Sequence, residues 1–188
     1  MEVRVSDVKK WAGRQESVDL VEPWPTEAQE RVDYPLTNPA VVHVLVRNTG
    51  GGALVVDISG TVEADAICSR CAEPFHISLP FEATEEFRDE PGPDDESLDY
   101  RRFTGDKIQL DDMVSDAAAV SFPIAILCKP DCRGLCPQCG TNLNVSECDC
   151  VPVVDNRWAQ LAQWIDPSKE AQNHHEGLGR EKHGRTKA

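Results

Sequence analysis

Eight cysteines, arranged as four close pairs, are the residues of this 188-residue chain best suited to chemistry. Thiolates are soft ligands, and four of them around one ion form the tetrahedral site that structural zinc prefers. Eight thiols therefore suffice for two such sites. The last six fall within 23 positions and the first two lie far upstream; the full set is Cys68, Cys71, Cys128, Cys132, Cys136, Cys139, Cys148 and Cys150.

One local zinc site is predicted from the spacing of the last four cysteines. The segment Cys136-Pro137-Gln138-Cys139-Gly140 has the CPxCG form of a zinc knuckle. Pro137 fixes one φ angle and Gly140 permits a positive φ, so the turn can direct backbone N–H groups at the two thiolates. Cys148 and Cys150 follow after a connector of eight residues. The pattern Cx2C–x8–CxC indicates a zinc-ribbon-like site.

The other two pairs, Cys68 with Cys71 and Cys128 with Cys132, are separated by 56 residues. One zinc held by these four would tie an upstream hairpin to the start of the cysteine cluster, since closing a longer loop costs little extra entropy. A rival partition joins the two CxxC pairs at one metal and leaves the other four cysteines for the second. The residues alone leave both partitions open.

Other cysteine chemistry is less consistent with the chain. Disulfides need an oxidising compartment, and residues 1–7 contain acids and no apolar signal region, so we expect a cytoplasmic protein. A redox CxxC opens a helix in a βαβ unit, whereas Cys68 and Cys71 lie between two predicted strands. Iron also accepts four thiolates and stays as the alternative to zinc.

The composition is acidic, with a formal net charge of -14 and a pI near 4.7. Nucleic-acid binding depends on Lys and Arg, so this balance favours a basic protein partner over bare RNA. The hydrophobic fraction of 40% implies a modest core that bound metal would support. No apolar window is long enough to span a membrane. Arg70, Lys129 and Arg133 stand beside cysteines and either offset thiolate charge or contact phosphate.

The predicted fold is α+β, a twisted antiparallel β-sheet with two helices and a C-terminal zinc-ribbon-like cysteine cluster. Apolar residues alternate with polar ones over 42–66 and again over 75–81, which predicts a hairpin with Cys68 and Cys71 at its turn. Asp111 is predicted to be the N-cap of a helix over 111–121. The predicted regions are an irregular Pro-rich segment 1–40, an antiparallel β domain 41–127 with an acidic loop 89–99, a cysteine-rich zinc-binding region 128–152, a helix 153–166 and a disordered tail 167–188.

Two strings of residues resemble one known family. They are the CSRCAEP string at 68–74, which follows the long strand, and the GLCPQCGTNLN string at 134–144. Both are similar to the YceD family of large ribosomal RNA subunit accumulation proteins, and the likeness covers roughly residues 40–165. The resemblance implies a bacterial cytoplasmic protein that supports 23S rRNA accumulation and has no enzymatic activity.

The resulting expectation is a non-enzymatic factor in large ribosomal subunit biogenesis, with two structural zinc ions ordering its binding surface. Its partner would be the large-subunit precursor, through a basic ribosomal protein or 23S rRNA, with no membrane and no small-molecule substrate. One alternative is a zinc-dependent RNA-processing enzyme, which needs a metal with an open coordination position. Another is a nucleic-acid-binding zinc ribbon, which needs a continuous basic face.

Overall fold

A computed structural model describes residues 1–92 and 99–151 together with Arg157. The chain divides into two compact units, Met1–Cys148 and Asp149–Ala188. Most of the predicted helix 153–166, the tail 167–188 and part of the acidic loop lie outside the described residues. The elements of the first unit are β1 (Glu2–Arg4), a 3₁₀ turn (Val8–Lys10), β2 (Gln15–Glu22), α1 (Thr26–Arg31), β3 (Ala40–Gly50), β4 (Ala53–Ile67), β5 (Pro74–Asp89), β6 (Arg101–Phe103), β7 (Lys107–Gln109) and α2 (Asp111–Ser121).

The main sheet has five strands in the order β2-β3-β4-β5-β6. Strands β3, β4 and β5 pair antiparallel, as predicted, and β2, which was not predicted, also pairs antiparallel with β3. By contrast, β6 pairs parallel to the end of β5 through Phe87 and Arg101. The sheet is therefore mixed. Strand β6 is three residues long and pairs with the last three residues of β5. After leaving β5, the chain therefore has to turn back by only about three residues before β6 begins. Strands β1 and β7 form a separate two-stranded sheet.

The core lies against one face of the main sheet. Alternation along β3 and β4 buries every second side chain, and the register places Val44 opposite Ile58 and Val46 opposite Val56. Residues of β7 and α2, among them Ile108 and Met113, complete the same buried cluster. The α+β class and a helix at 111–121 thus match the sequence pattern, because the period-two and helical stripes both face this core. Asp111 is the first residue of this helix rather than its N-cap, which is Leu110.

The first 40 residues contain more regular structure than their prolines predict. Strand β2 pairs with β3 along all eight of its residues, and α1 packs against α2. The prolines fall at the joints, because Pro23 follows the last residue of β2 and Pro25 precedes the first residue of α1. Proline is tolerated in both places, since neither requires a ladder hydrogen bond. Among the described residues, no helix is long and apolar enough to cross a membrane.

Candidate metal centres

The eight cysteines form two groups of four, and the sulfur atoms within each group all lie within 4.8 Å of one another. The first tetrad combines the hairpin pair with the start of the cysteine cluster, as Cys68, Cys71, Cys128 and Cys132. The structure therefore contains the partition in which the two distant pairs share one site. It does not contain the rival partition, in which the two CxxC pairs share a site.

The sulfur spacing of the first tetrad suits a tetrahedral ion. The sulfurs of Cys68 and Cys132 are 3.7 Å apart, and those of Cys71 and Cys128 are also 3.7 Å apart. Zinc–sulfur bonds of about 2.3 Å give a tetrahedron edge of about 3.8 Å. A disulfide needs a sulfur–sulfur distance of about 2.05 Å, and no disulfide joins any of the eight cysteines, all of which lie among the described residues. Four thiolates suit zinc and iron alike, so the donor set does not choose between them.

The first tetrad is largely withdrawn from water. Cys68, Cys71 and Cys132 are buried, and the partly buried Phe75 and Leu127 pack against them. Low polarity around the sulfurs strengthens any attraction between thiolates and a cation. The apolar shell also limits solvent access to the site.

The hairpin tip between β4 and β5 is shaped to present its two cysteines. The Ala72 N–H donates to the Cys68 carbonyl over 2.9 Å, and the Cys68 N–H donates to the Glu73 carbonyl over 2.9 Å. Ala72 takes a φ of 58°, which closes the turn. The Ser69 N–H donates to the Ile126 carbonyl over 2.8 Å, so the tip is fastened to the chain just before Cys128.

A second set of contacts fastens the tip to the downstream cysteine loop. The Leu135 N–H donates to the Arg70 carbonyl over 3.0 Å, and the Arg70 guanidinium donates to the Cys132 carbonyl over 3.1 Å. Gly134 has a φ of +75°, and a Cβ there would lie 3.0 Å from the Arg70 carbonyl oxygen. Arg70 therefore serves this junction, and glycine is what allows the two backbones to approach.

Backbone amides and crowding perturb the thiols in opposite directions. Burial alone would raise the pKa of Cys68, but N–H groups of Cys128, Cys71 and Arg70 outweigh it and lower that pKa to about 6. Burial, followed by the neighbouring thiols of Cys68, Cys71 and Cys132, raises the pKa of Cys128 to about 12. Four sulfurs this close share protons unless a cation neutralises them. The tetrad thus has the electrostatics of a cation site.

Two asparagines that the sequence interpretation treated as connector support the first tetrad. The Asn144 side-chain amide donates to the Cys132 sulfur over 3.4 Å, and its oxygen accepts from the Arg133 N–H over 2.9 Å. The Asn142 amide donates to the Glu73 carboxylate over 3.1 Å, and its oxygen accepts from Asn144. The sequence signal that could have identified these supporting residues is the string Asn-Leu-Asn at 142–144, inside the connector between the cysteine pairs.

The second tetrad consists of Cys136, Cys139, Cys148 and Cys150. Its CPxCG turn has the predicted geometry, with a φ of +73° at Gly140 and a hydrogen bond of 2.9 Å from the Gly140 N–H to the Cys136 carbonyl. Backbone N–H groups of Cys139 and Gln138 lower the pKa of Cys136. Cys139 is exposed, so this tetrad is more open to solvent than the first.

Charges are mixed around the cysteine loop. Residues 128–148 contain two basic side chains, Lys129 and Arg133, and two acidic ones, Asp131 and Glu147. Arg133 lies 3.5 Å from the Glu147 carboxylate. The described part of this loop therefore carries no continuous basic face.

A family model described as large ribosomal RNA subunit accumulation protein YceD matches residues 56–164. The chain belongs to the YceD family. The matched range covers more than half of the chain, contains all eight cysteines and includes the two asparagines that support the first tetrad. The family takes its name from accumulation of the large ribosomal RNA subunit.

Relatives of the chain occur in mycobacteria. Uncharacterized proteins of Mycobacterium tuberculosis and Mycobacterium bovis are each 32% identical over 130 residues, which covers 66% of this chain and 61% of the relative. An uncharacterized protein of Mycobacterium leprae is 28% identical over 122 residues, covering 58% of this chain and 53% of the relative. The chain thus spans about three fifths of the length of the first two relatives. No solved structure matches it.

Proposed function

We propose that this protein is a non-enzymatic factor in bacterial large ribosomal subunit biogenesis that supports accumulation of 23S rRNA. The observation that carries the proposal is the YceD family match over residues 56–164. Such work takes place on the large-subunit precursor, so the proposed location is the cytoplasm. The proposed partner is that precursor, through one of its basic proteins or its RNA.

The proposal assigns one structural zinc ion to each cysteine tetrad. The 3.7 Å sulfur separations in the first tetrad support it, because they match the edge of a zinc–thiolate tetrahedron. A site with four protein thiolates is closed, and hydrolytic zinc needs a position for water. The donor set thus argues against the zinc-dependent RNA-processing enzyme.

In this proposal zinc acts as a scaffold. The first tetrad joins the β4–β5 hairpin tip to residues 128–132, and the hydrogen bonds from Arg70 to Cys132 and from Asn142 to Glu73 cross between the same tip and the cysteine loop. The metal would therefore set the position of the cysteine loop relative to the sheet. The mixed charge of residues 128–148 favours this structural role over a ribbon that binds nucleic acid directly.

The cellular experiment is deletion of the gene followed by complementation. The deletion strain is expected to show a lower ratio of 23S to 16S rRNA and fewer large subunits in sucrose gradients, restored by the wild-type gene. The complementing control is the same gene with Cys68 and Cys71 changed to serine, which should restore less. An unchanged 23S to 16S ratio in the deletion strain would overturn the proposed role.

The metal assignment has its own measurement. Elemental analysis of purified, untagged protein is expected to give two zinc ions per chain, one for each tetrad. Iron in place of zinc would correct the choice of metal, whereas one ion per chain would refute the two-site assignment.

A further inference from the structure

The face of the main sheet opposite the core is open among the described residues. Side chains at the odd positions of β3 and β4 point to this face, and none of the described helices packs on it. Val21 is 63% exposed and Val41 is 53% exposed. Exposed aliphatic side chains at neighbouring positions of a sheet are a common mark of an interaction surface.

These two valines belong to a row that crosses four strands. The register places Val21 opposite Val41, Val41 opposite Thr61, and Thr61 opposite Pro80. Adjacent strands lie about 4.8 Å apart, so the row is about 14 Å long. Every member of the row is uncharged, and only the Thr61 hydroxyl can form a side-chain hydrogen bond.

Carboxylates flank the row on both sides. The next row on one side runs Asp19, His43, Ser59 and Glu82 in register. On the other side, Glu63 and Asp65 occupy the odd positions of β4 beyond Thr61. No Lys or Arg occupies a position in the row or in these two flanks.

The histidines of this face already contact the acids. His43 lies 2.6 Å from the Asp19 carboxylate, and His76 lies 3.2 Å from Asp65 and 3.6 Å from Glu63. The nearest Arg on the face, Arg47, pairs with Asp57 at 2.7 Å, further along the sheet. Asp19, Glu63 and Asp65 therefore have imidazole neighbours, and these acids and Glu82 are positioned to receive additional cations.

A shallow trough follows the row on the open face of the sheet. Its lining includes Asp19, Val41, His43, Ser59, Thr61 and Glu82. On the core face behind the trough, the Phe81 ring packs closely over Gly60, where a Cβ would lie 2.6 Å from the ring.

We propose that this trough binds a Lys- and Arg-rich protein segment that carries small aliphatic side chains. The aliphatic groups would cover the row Val21–Val41–Thr61–Pro80, and the cations would meet the flanking carboxylates. Charge complementarity of this kind selects partners and accelerates their association. The inference rests on the proposed function, because it takes the segment to belong to a basic protein of the large-subunit precursor.

Charge also distinguishes this partner from the two main competitors. RNA would bring phosphates against Asp19, Glu63 and Glu82 with no Lys or Arg in the trough to receive them. A second copy of the chain, docked face to face through the same surface, would bring like charges together. A basic segment with aliphatic side chains satisfies both features of the trough.

The test uses full-length, zinc-loaded protein and a fluorescent peptide in which pairs of lysines alternate with pairs of valines, so that each face of the extended peptide carries both residue types. Eight residues span about 26 Å at about 3.3 Å per residue, which is enough to cover the row of about 14 Å. Fluorescence anisotropy is measured for this peptide, for the same peptide with glutamate in place of lysine, and for a single-stranded RNA. Only the lysine peptide should bind, and its affinity should fall as salt rises.

Variants locate the binding site. Reversing one flanking carboxylate, in Asp19→Lys or Glu82→Lys, should weaken the lysine peptide about fivefold, since an attraction is replaced by a repulsion of similar size. Val41→Ser tests the row and should also weaken binding. Glu30→Lys on α1 changes the net charge equally, but α1 lies on the covered side of the sheet with α2, so binding should stay unchanged.

Zero-length carboxyl–amine cross-linking with mass spectrometry then identifies the occupant. Cross-links from Asp19 or Glu82 to the peptide support the inference. Cross-links from these acids chiefly to Lys182 or Lys187 of the same chain, or to a second copy, overturn it, as does RNA binding that the Glu82→Lys variant strengthens. If the lysine peptide does not bind while the deletion strain still loses 23S rRNA, the assignment of this trough as a docking surface is refuted and the proposed function stands.

Discussion

Cys68→Ser is the substitution that most directly tests the role of the first tetrad. Serine has nearly the shape of cysteine but is a poor zinc ligand, so the change removes a donor with little change in volume. Cys139→Ser removes one donor from the second tetrad and is the matched control, because Cys139 is exposed and Cys68 is buried. Each variant is expected to lose zinc from its own tetrad.

The two variants should differ in stability because the two metals close loops of different length. The first tetrad closes a loop with 56 residues between Cys71 and Cys128, and the second closes one with eight between Cys139 and Cys148. Treating each metal as a chain cross-link gives about 4 kcal/mol for the long loop and about 3 kcal/mol for the short one. For a chain of this size, about 4 kcal/mol corresponds to a Tm decrease of roughly 12 °C.

The assay combines zinc content with thermal unfolding followed by circular dichroism. Cys68→Ser should retain one zinc and melt roughly 12 °C below wild type, and Cys139→Ser should retain one zinc and melt a few degrees higher than Cys68→Ser. Hydrogen exchange at residues 68–74 should accelerate only in Cys68→Ser. A Cys68→Ser protein that keeps two zinc ions, or that melts no lower than Cys139→Ser, would refute the assignment of the first tetrad as the long-range closure.

Three further substitutions examine the surroundings of the site and the sheet. Asn144→Ala removes the amide that donates to a first-tetrad thiol, so zinc affinity measured by chelator competition should fall about tenfold. Gly134→Ala strains a positive φ and crowds the Arg70 carbonyl, so urea unfolding should show a loss of about 2 kcal/mol. Gly60→Ala places a methyl group 2.6 Å from the Phe81 ring and should cost about 3 kcal/mol in the same measurement.

Each of these substitutions has a control of similar size. Asn38→Ala removes an exposed amide that donates to the Glu63 carboxylate rather than to a cysteine sulfur, so it should leave zinc affinity unchanged. Gly105 has a φ of +87°, but a Cβ added there would have no atom within 4 Å. Gly105→Ala should therefore cost about 1 kcal/mol less stability than Gly134→Ala. Ser59→Ala is an exposed neighbour of Gly60 and should be nearly neutral. If a substitution and its control lost the same zinc affinity or the same free energy of unfolding, the contact assigned to the substituted residue would be contradicted.

Local sequence patterns anticipated much of this fold. The alternation over 42–66 and 75–81 predicted the hairpin, because a strand with one buried face must repeat every second residue. The CPxCG string predicted the turn at Gly140, since the φ of +73° there is one that glycine adopts readily. The same reasoning missed β2, because its side chains are mostly exposed and its stability comes from pairing with β3.

What the sequence determined by itself was the ligand inventory and the local geometry. Eight thiols, a knuckle and a hairpin turn follow from residue type and spacing over a few positions. The tertiary structure alone decided that Cys68 and Cys71 meet Cys128 and Cys132, that Asn144 supports Cys132, and that four strands align an uncharged row between carboxylates. The physical reason is that closure entropy changes slowly with loop length, so spacing hardly distinguishes distant pairings, whereas strand register and packing select one.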